Sequence, residues 1–131
     1  MVLIDRLANL NPEILLKRTK AFAVSIIRMS QNLPLSPEGR IIKNQLVKSA
    51  TSVGANYRAA CKARSGNEFY AKLSIVVEEA DETLYWIELI EEANLAKPEE
   101  LQKHKQEATE LLKIFSSARK STKTNLKSTN Q

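Results

Sequence analysis

Hydrophobic residues recur at helical spacing in four successive segments of this 131-residue chain, and none of the segments alternates as a strand would. The stretch "NLPLSPEG" ends the first segment and "NLAKPEE" ends the third, because proline is not accommodated inside a helix. The second and third segments are separated by "ARSGNEF", a tight reversal around Gly66. With so few interruptions the chain is divided into long helices, and the pattern predicts an all-α fold.

Capping signals mark where the helices begin. Asn11 and Ser36 each precede a proline at the first helical position, a typical N-terminal arrangement. Asn67 or Ser65 caps the third helix, and the fourth begins near Pro98. The positions predicted to line the core are Leu15, Phe22, Ile26, Met29, Ile42, Leu46, Ser49, Val53, Asn56, Ala60, Phe69, Leu73, Val76, Ala80, Leu84, Ile87, Ile90, Leu101, Ala108, Leu111 and Phe115.

Short connections between long amphipathic helices favour antiparallel neighbours. We therefore predict a single domain, an antiparallel up-down-up-down four-helix bundle spanning residues 1–119. Residues 120–131 hold one large hydrophobic residue and no acid, which predicts a disordered basic tail. A helical solenoid is the alternative fold, but no internal repeat of fixed period supports it.

Charge is distributed unevenly along the chain, which has a formal net charge of +5. Residues 38–64 carry six basic residues against Glu38, whereas residues 66–94 carry eight acids against Lys72. A basic surplus on the first, second and last segments fits a polyanion partner, although a solvated surface explains it nearly as well.

The sequence gives little support to catalysis or metal binding. His104 stands between two lysines, and one histidine with one cysteine, Cys61, is too few for a zinc site of the usual ligand types. The three glycines are isolated and form no phosphate-binding loop. We expect no catalytic residues, no cofactor and no metal, hence no enzyme. With no membrane-spanning stretch and no disulfide, a cytoplasmic location is expected.

The stretch "SATSVGANYRAA", residues 49–60, is a helical segment built of unusually small side chains. Gly54 inside a helix costs about 1 kcal/mol relative to alanine, so it is expected to admit a neighbouring backbone. Three interpretations compete for this face, which contains Ser49, Ser52 and Asn56: close packing within the chain, contact between protomers, or contact with a ligand or nucleic acid.

One longer run resembles a known family. It is "QLVKSATSVGANYRAACKARSGNEFYAKLSIVVEEADETLYWIELIEEANL", residues 45–95. The matching positions are Lys48, Ser49, Gly54, Ala55, Asn56, Ala60, Ser65, Phe69, Lys72, Leu73, Glu82, Thr83, Tyr85 and Trp86. The run resembles the bacterial four-helix-bundle proteins of 23S rRNA intervening sequences, which are related in fold to the accessory variability protein of diversity-generating retroelements.

The resemblance implies a homopentameric barrel of four-helix bundles and implies no catalysis. By analogy it points to a non-enzymatic oligomeric accessory protein that binds the backbone of RNA or DNA. The basic residues that we expect to contact nucleic acid are Lys17, Arg18, Lys20, Arg40, Lys43, Arg58, Lys62 and Arg64. Those expected in oligomer or helix packing are Ser49, Ser52, Gly54, Asn56, Tyr85 and Trp86.

The alternative is a protein-interaction scaffold without direct nucleic-acid contact, in which the acidic third helix would be an equally good contact. Two further expectations concern individual side chains. Lys48 is predicted to pair with Glu82 or Glu79 across a hairpin of the second and third helices. Tyr57 and Tyr70, beside basic residues, are the aromatic side chains most expected to be exposed.

Overall fold

A computed structural model describes residues 11–129 of the chain as four α-helices, without a strand in that range. The helices are α1 (Pro12–Ser30), α2 (Pro37–Cys61), α3 (Gly66–Glu92) and α4 (Pro98–Thr129). The predicted all-α class and the four segments are confirmed for the described residues. Residues 1–10 and 130–131, which the predicted domain and tail include, lie outside them.

Side-chain caps begin the first three helices. Asn11 accepts a hydrogen bond from the amide of Ile14, and Ser65, not Asn67, accepts one from Glu68. Ser36 accepts from Gly39 at 3.2 Å. A Cβ atom at Gly39 would stand 2.2 Å from the carbonyl oxygen of Pro34, so this first turn has no room for a larger residue. Each cap satisfies a backbone donor that the helix itself leaves unpaired.

The end of α3 is set by backbone geometry. Asn94 has a φ of 56°, in the left-handed region that asparagine tolerates better than most residues. Its amide donates to the carbonyl of Glu91 at 3.1 Å, and the next amide, of Leu95, donates to Ile90 at 3.0 Å. These two bonds satisfy carbonyls at the end of the helix and turn the chain towards α4.

All four helices contribute to one hydrophobic core. Leu15 and Ile26 of α1, Leu46 of α2, Ile87 of α3 and Phe115 of α4 are among its buried members. Each helix packs against the next in sequence, and α1 also contacts α4. Most of the predicted core positions are buried; Ile42, Asn56, Phe69 and Leu84 are partly buried at its margin.

The small residues of α2 pack in two directions, against α1 and into the hydrophobic core. A Cβ atom on Gly54 would lie 3.2 Å from the hydroxyl oxygen of Thr19, so α1 approaches the α2 backbone closely at this point. Ser49 is fully buried, and its hydroxyl donates to the carbonyl of Leu46 at 3.1 Å. Asn56 likewise donates to the carbonyl of Ser52 at 2.9 Å. Bonding back to the preceding turn gives each of these polar side chains a hydrogen-bond acceptor within α2 itself.

Residues 120–129, for which we predicted a disordered tail, continue α4 to Thr129. Leu126 is half-buried, and a Cβ atom on Gly66 would stand 2.8 Å from its Cδ2 atom. The one large hydrophobic residue of the segment therefore packs against the start of α3. This long-range contact stabilises a helix that local composition did not predict.

We expect Gly54→Leu to lower the free energy of unfolding by about 1–2 kcal/mol, because overpacking against Thr19 outweighs the better helix propensity of leucine. Urea unfolding followed by circular dichroism measures the change. Ala55→Leu is the matched control, since Ala55 is the next residue along α2 and is exposed. Equal stability of the two variants would contradict the close approach of α1 and α2.

Candidate nucleic-acid interface

An open groove of about 580 Å³ lies between α1 and α2. Small and apolar residues form much of its lining, including Leu16 and Ala23 from α1 and Gly54 and Ala55 from α2. The remaining lining residues are Lys17, Thr19, Lys20, Thr51, Arg58, Cys61 and Lys62. We call this feature the basic groove, because four of its residues are cationic and none is acidic.

Helix geometry explains why the four cations converge. Lys17 and Lys20 are three positions apart on α1, and Arg58 and Lys62 are four apart on α2, so each pair shares a helix face. All four side chains are exposed. The contact of Gly54 with Thr19 brings the two helices together and places one pair on each side of the basic groove.

Arg18 does not join this cluster. Its Nε atom donates to Glu107 at 2.8 Å and one terminal nitrogen donates to the other oxygen of the same carboxylate at 2.7 Å. A second carboxylate, of Glu110, lies at 3.1 Å. The hydrogen bond with Glu107 raises the pKa of the guanidinium above its usual value, against the effect of burial. Arg18 thus connects α1 with α4 and is not free to bind phosphate.

The other three predicted contacts lie outside the lining of the basic groove. Arg40 is exposed and Lys43 is half-buried near the start of α2. Eighteen residues separate Arg40 from Arg58, roughly 27 Å along a helix. Arg64 is exposed in the turn after α2, where its backbone amide donates to the carboxylate of Glu68 at 3.4 Å.

No aromatic side chain lines the basic groove. Tyr57, which we expected to be exposed, is buried, and its ring packs on Phe115 with centroids 5.1 Å apart. Burial raises the pKa of the Tyr57 hydroxyl, with a further contribution from a hydrogen bond to Cys61. Tyr70 is half-buried, with the Arg119 guanidinium 4.9 Å from its ring centroid. The basic groove can therefore offer charge to a ligand but no ring on which a base would stack.

The outer side of α3 is acidic and carries an aromatic pair. The Trp86 indole donates a hydrogen bond to the Glu82 carboxylate at 3.2 Å. The Trp86 ring packs edge-on against the ring of the exposed Tyr85, with the ring centroids 5.0 Å apart. Burial and the neighbouring Glu82 charge raise the pKa of Glu79, while a hydrogen bond from Ser52 and the charge of Lys48 oppose that shift.

The predicted ion pair of Lys48 does not form: the ion pairs within residues 11–129 involve Arg18 and Lys105. Lys48 is exposed, and it influences Glu79 only electrostatically. The Ser52 hydroxyl donates to the carbonyl of Lys48 at 2.7 Å, and the Glu82 carboxylate accepts from the Trp86 indole.

The described residues contain no group of three histidine, cysteine or acidic side chains placed to hold a metal ion. His104 lies in a second cavity between α1 and α4, with Nδ1 3.5 Å from the Ser25 hydroxyl. Burial, and then the charge of Lys103, lowers its pKa. None of the helices in the described part of the chain is long and apolar enough to cross a membrane.

Comparisons with known proteins agree with the fold. The model of the "23S rRNA-intervening sequence protein" family matches residues 13–117. A crystal structure from Bacteroides thetaiotaomicron, of a protein with unknown function from the S23 ribosomal protein family, is similar with a TM-score of 0.74 and 32% identity. The match covers 83% of this chain and 97% of that protein. No curated protein matches the sequence.

The lowered pKa of His104 is directly measurable, because the chain has a single histidine. We expect its NMR titration to give a pKa below 6.5, the ordinary value, and Lys103→Gln to raise that pKa. Lys97→Gln, a neutralisation outside the His104 cavity, should leave it unchanged. Since the unfolded chain binds this proton more tightly, the free energy of unfolding should fall as pH is lowered through 6.5. A pKa at or above 6.5 in the folded protein would contradict this placement.

Proposed function

The chain belongs to the 23S rRNA-intervening sequence protein family, and we propose that it is a non-enzymatic, oligomeric accessory protein that binds RNA or DNA. The observation that carries the proposal is the convergence of Lys17, Lys20, Arg58 and Lys62 on the basic groove, without an acid in its lining. Cations that neutralise phosphates release counterions, and this supplies most of the affinity in binding that ignores sequence.

The groove chemistry supports contact with the phosphate backbone and not with bases. Arg58 offers a planar fork of donors that matches a phosphate, while the lysines act as mobile point charges. The lining lacks the aromatic rings that stack on bases and the asparagine and glutamine that bind adenine edges. We therefore propose similar affinity for different sequences of equal length.

Assembly as a homopentameric barrel is part of the proposal and rests on the family resemblance. Self-association would multiply the charge of +5 per chain and add phosphate contacts from each copy. It would also remove exposed apolar side chains from water, among which Leu35, Ile41 and Tyr85 are 71%, 62% and 54% exposed.

We further propose the antiparallel up-down-up-down order for the helices. It is supported by contacts that run in opposite directions along α3 and α4. Glu91, near the end of α3, contacts Lys105, whereas the earlier Ser74 contacts Arg119, later in α4. A cytoplasmic location is also proposed, since the exposed thiol of Cys61 forms no disulfide.

A second candidate function is a protein-interaction scaffold. The exposed Tyr85, in edge contact with Trp86 on the acidic α3, favours this alternative. Aromatic side chains are enriched where proteins meet, and a carboxylate-rich surface suits a basic polypeptide. In this function the basic groove would be a solvated surface.

Binding to labelled single- and double-stranded RNA and DNA across a salt series tests the leading proposal. Four phosphate contacts per protomer would give log K a slope of about −3.6 against log salt for duplex, or about −2.8 for a single strand. We expect Arg58→Glu with Lys62→Glu to weaken binding about tenfold or more at low salt. Lys97→Glu with Lys103→Glu is the control of equal charge, on exposed lysines outside the basic groove.

Cys61 provides a local readout, because it is the only cysteine of the chain and lies in the lining of the basic groove. Bound nucleic acid should slow its alkylation, and protein mass measured under the same conditions gives the oligomeric state. Absence of binding at low salt by a folded oligomer would rule out the nucleic-acid function and favour the scaffold. Equal loss of binding in both double variants would mean that the basic groove is not the contact.

A further inference from the structure

The last three turns of α4 extend beyond the part of the chain that the family model matches, which ends at residue 117. We call residues 118–129 the C-terminal arm. The last acidic residue of the chain is Glu110, so the C-terminal arm contains only positive charges, on Arg119, Lys120, Lys123 and Lys127. Its charge is therefore not compensated within its own sequence.

Two contacts attach the C-terminal arm to α3. At its base the Nε atom of Arg119 donates to the Ser74 hydroxyl at 2.8 Å, and its guanidinium covers the Tyr70 ring. Near its end Leu126 packs against Gly66, where the added Cβ atom would stand 2.8 Å away. These contacts use Arg119 and the one large apolar side chain, and they leave the three lysines exposed.

The three lysines are spaced for a joint contact. Positions 120, 123 and 127 follow one another by three and four residues, so they lie along one side of the helix. The C-terminal end of a helix carries a partial negative charge, so the positive charge of Lys127 is favourable at its position in the last turn. Because Leu126 touches Gly66, Lys127 at the end of this row lies near the turn that carries Arg64.

We infer that the C-terminal arm is a second phosphate-binding surface, which adds its row of lysines to the contacts made by the basic groove. The inference rests on the proposed nucleic-acid function and extends it to a part of the chain outside the family match. An anionic lipid surface fits less well. A helix that lies on a membrane needs an apolar face to insert into the lipid. Leu126, the large apolar residue of the arm, already packs against Gly66 and is not available for such a face.

The test compares two double variants of the full chain that remove the same charge. Lys123→Gln with Lys127→Gln changes the C-terminal arm, whereas Lys97→Gln with Lys103→Gln changes exposed lysines at the start of α4. We expect the first pair to reduce the magnitude of the salt slope by about 1.8 for duplex or about 1.4 for a single strand. The second pair should leave the slope as in the unchanged protein.

A third variant separates the position of the lysines from their number. Leu126→Ser keeps every charge but removes the contact with Gly66, and we expect faster amide exchange in residues 120–128 together with weaker binding. The inference would be overturned if Leu126→Ser and the variant with Lys123→Gln and Lys127→Gln both bind nucleic acid as well as the unchanged protein does. The proposed function would still stand in that case.

The outcomes for the proposed function remain distinct. Failure of the unchanged protein to bind any nucleic acid would remove the proposed function and the inference with it. Binding to phosphatidylserine vesicles that depends on Lys123 and Lys127, without such dependence for nucleic acid, would overturn the assignment of the arm to nucleic acid.

Discussion

The close approach of α1 and α2 at Gly54 is the contact on which the rest of the molecule depends. Without a side chain at that position, α2 lies against Thr19 on one side while Ser49 is buried in the core on the other. A leucine in its place would fill the space between the helices, and the basic groove would lose its small-residue lining. The same substitution would separate the lysines of α1 from Arg58 and Lys62. The stability of the fold and the geometry of the candidate site thus share one physical cause.

Features encoded by neighbouring residues were predictable from the sequence. Asn11, Ser36 and the prolines that follow them identify helix starts, because capping depends on only three or four adjacent residues. Apolar spacing identified most of the core for the same reason. The match of residues 13–117 to one family model agrees with the resemblance seen at residues 45–95. Local signals are reliable here because every helix is long enough to repeat them.

Features that depend on distant residues were not predictable. Arg18 differs little from Lys17 and Lys20 in sequence, but its partner Glu107 lies 89 positions later and removes it from the candidate site. Tyr57 stands among basic residues, yet its side of the helix meets Phe115 in the core. The helical state of residues 120–129 follows from one leucine that meets a glycine sixty positions earlier. Such contacts cannot be predicted from charge and composition, because these properties do not specify which distant residues come together in the fold.

The ion pair of Arg18 with Glu107 joins α1 to α4, which is the least extensive of the helix–helix contacts within residues 11–129. The other helix–helix contacts within residues 11–129 join neighbours in sequence, so this one closes the largest loop in the described part of the chain. Contacts of that kind tend to form late in folding, after the contacts between helices that are neighbours in sequence. Interactions made after the transition state affect the rate of unfolding more than the rate of folding. We therefore expect removal of the Arg18 ion pair to change the rate of unfolding more than the rate of folding.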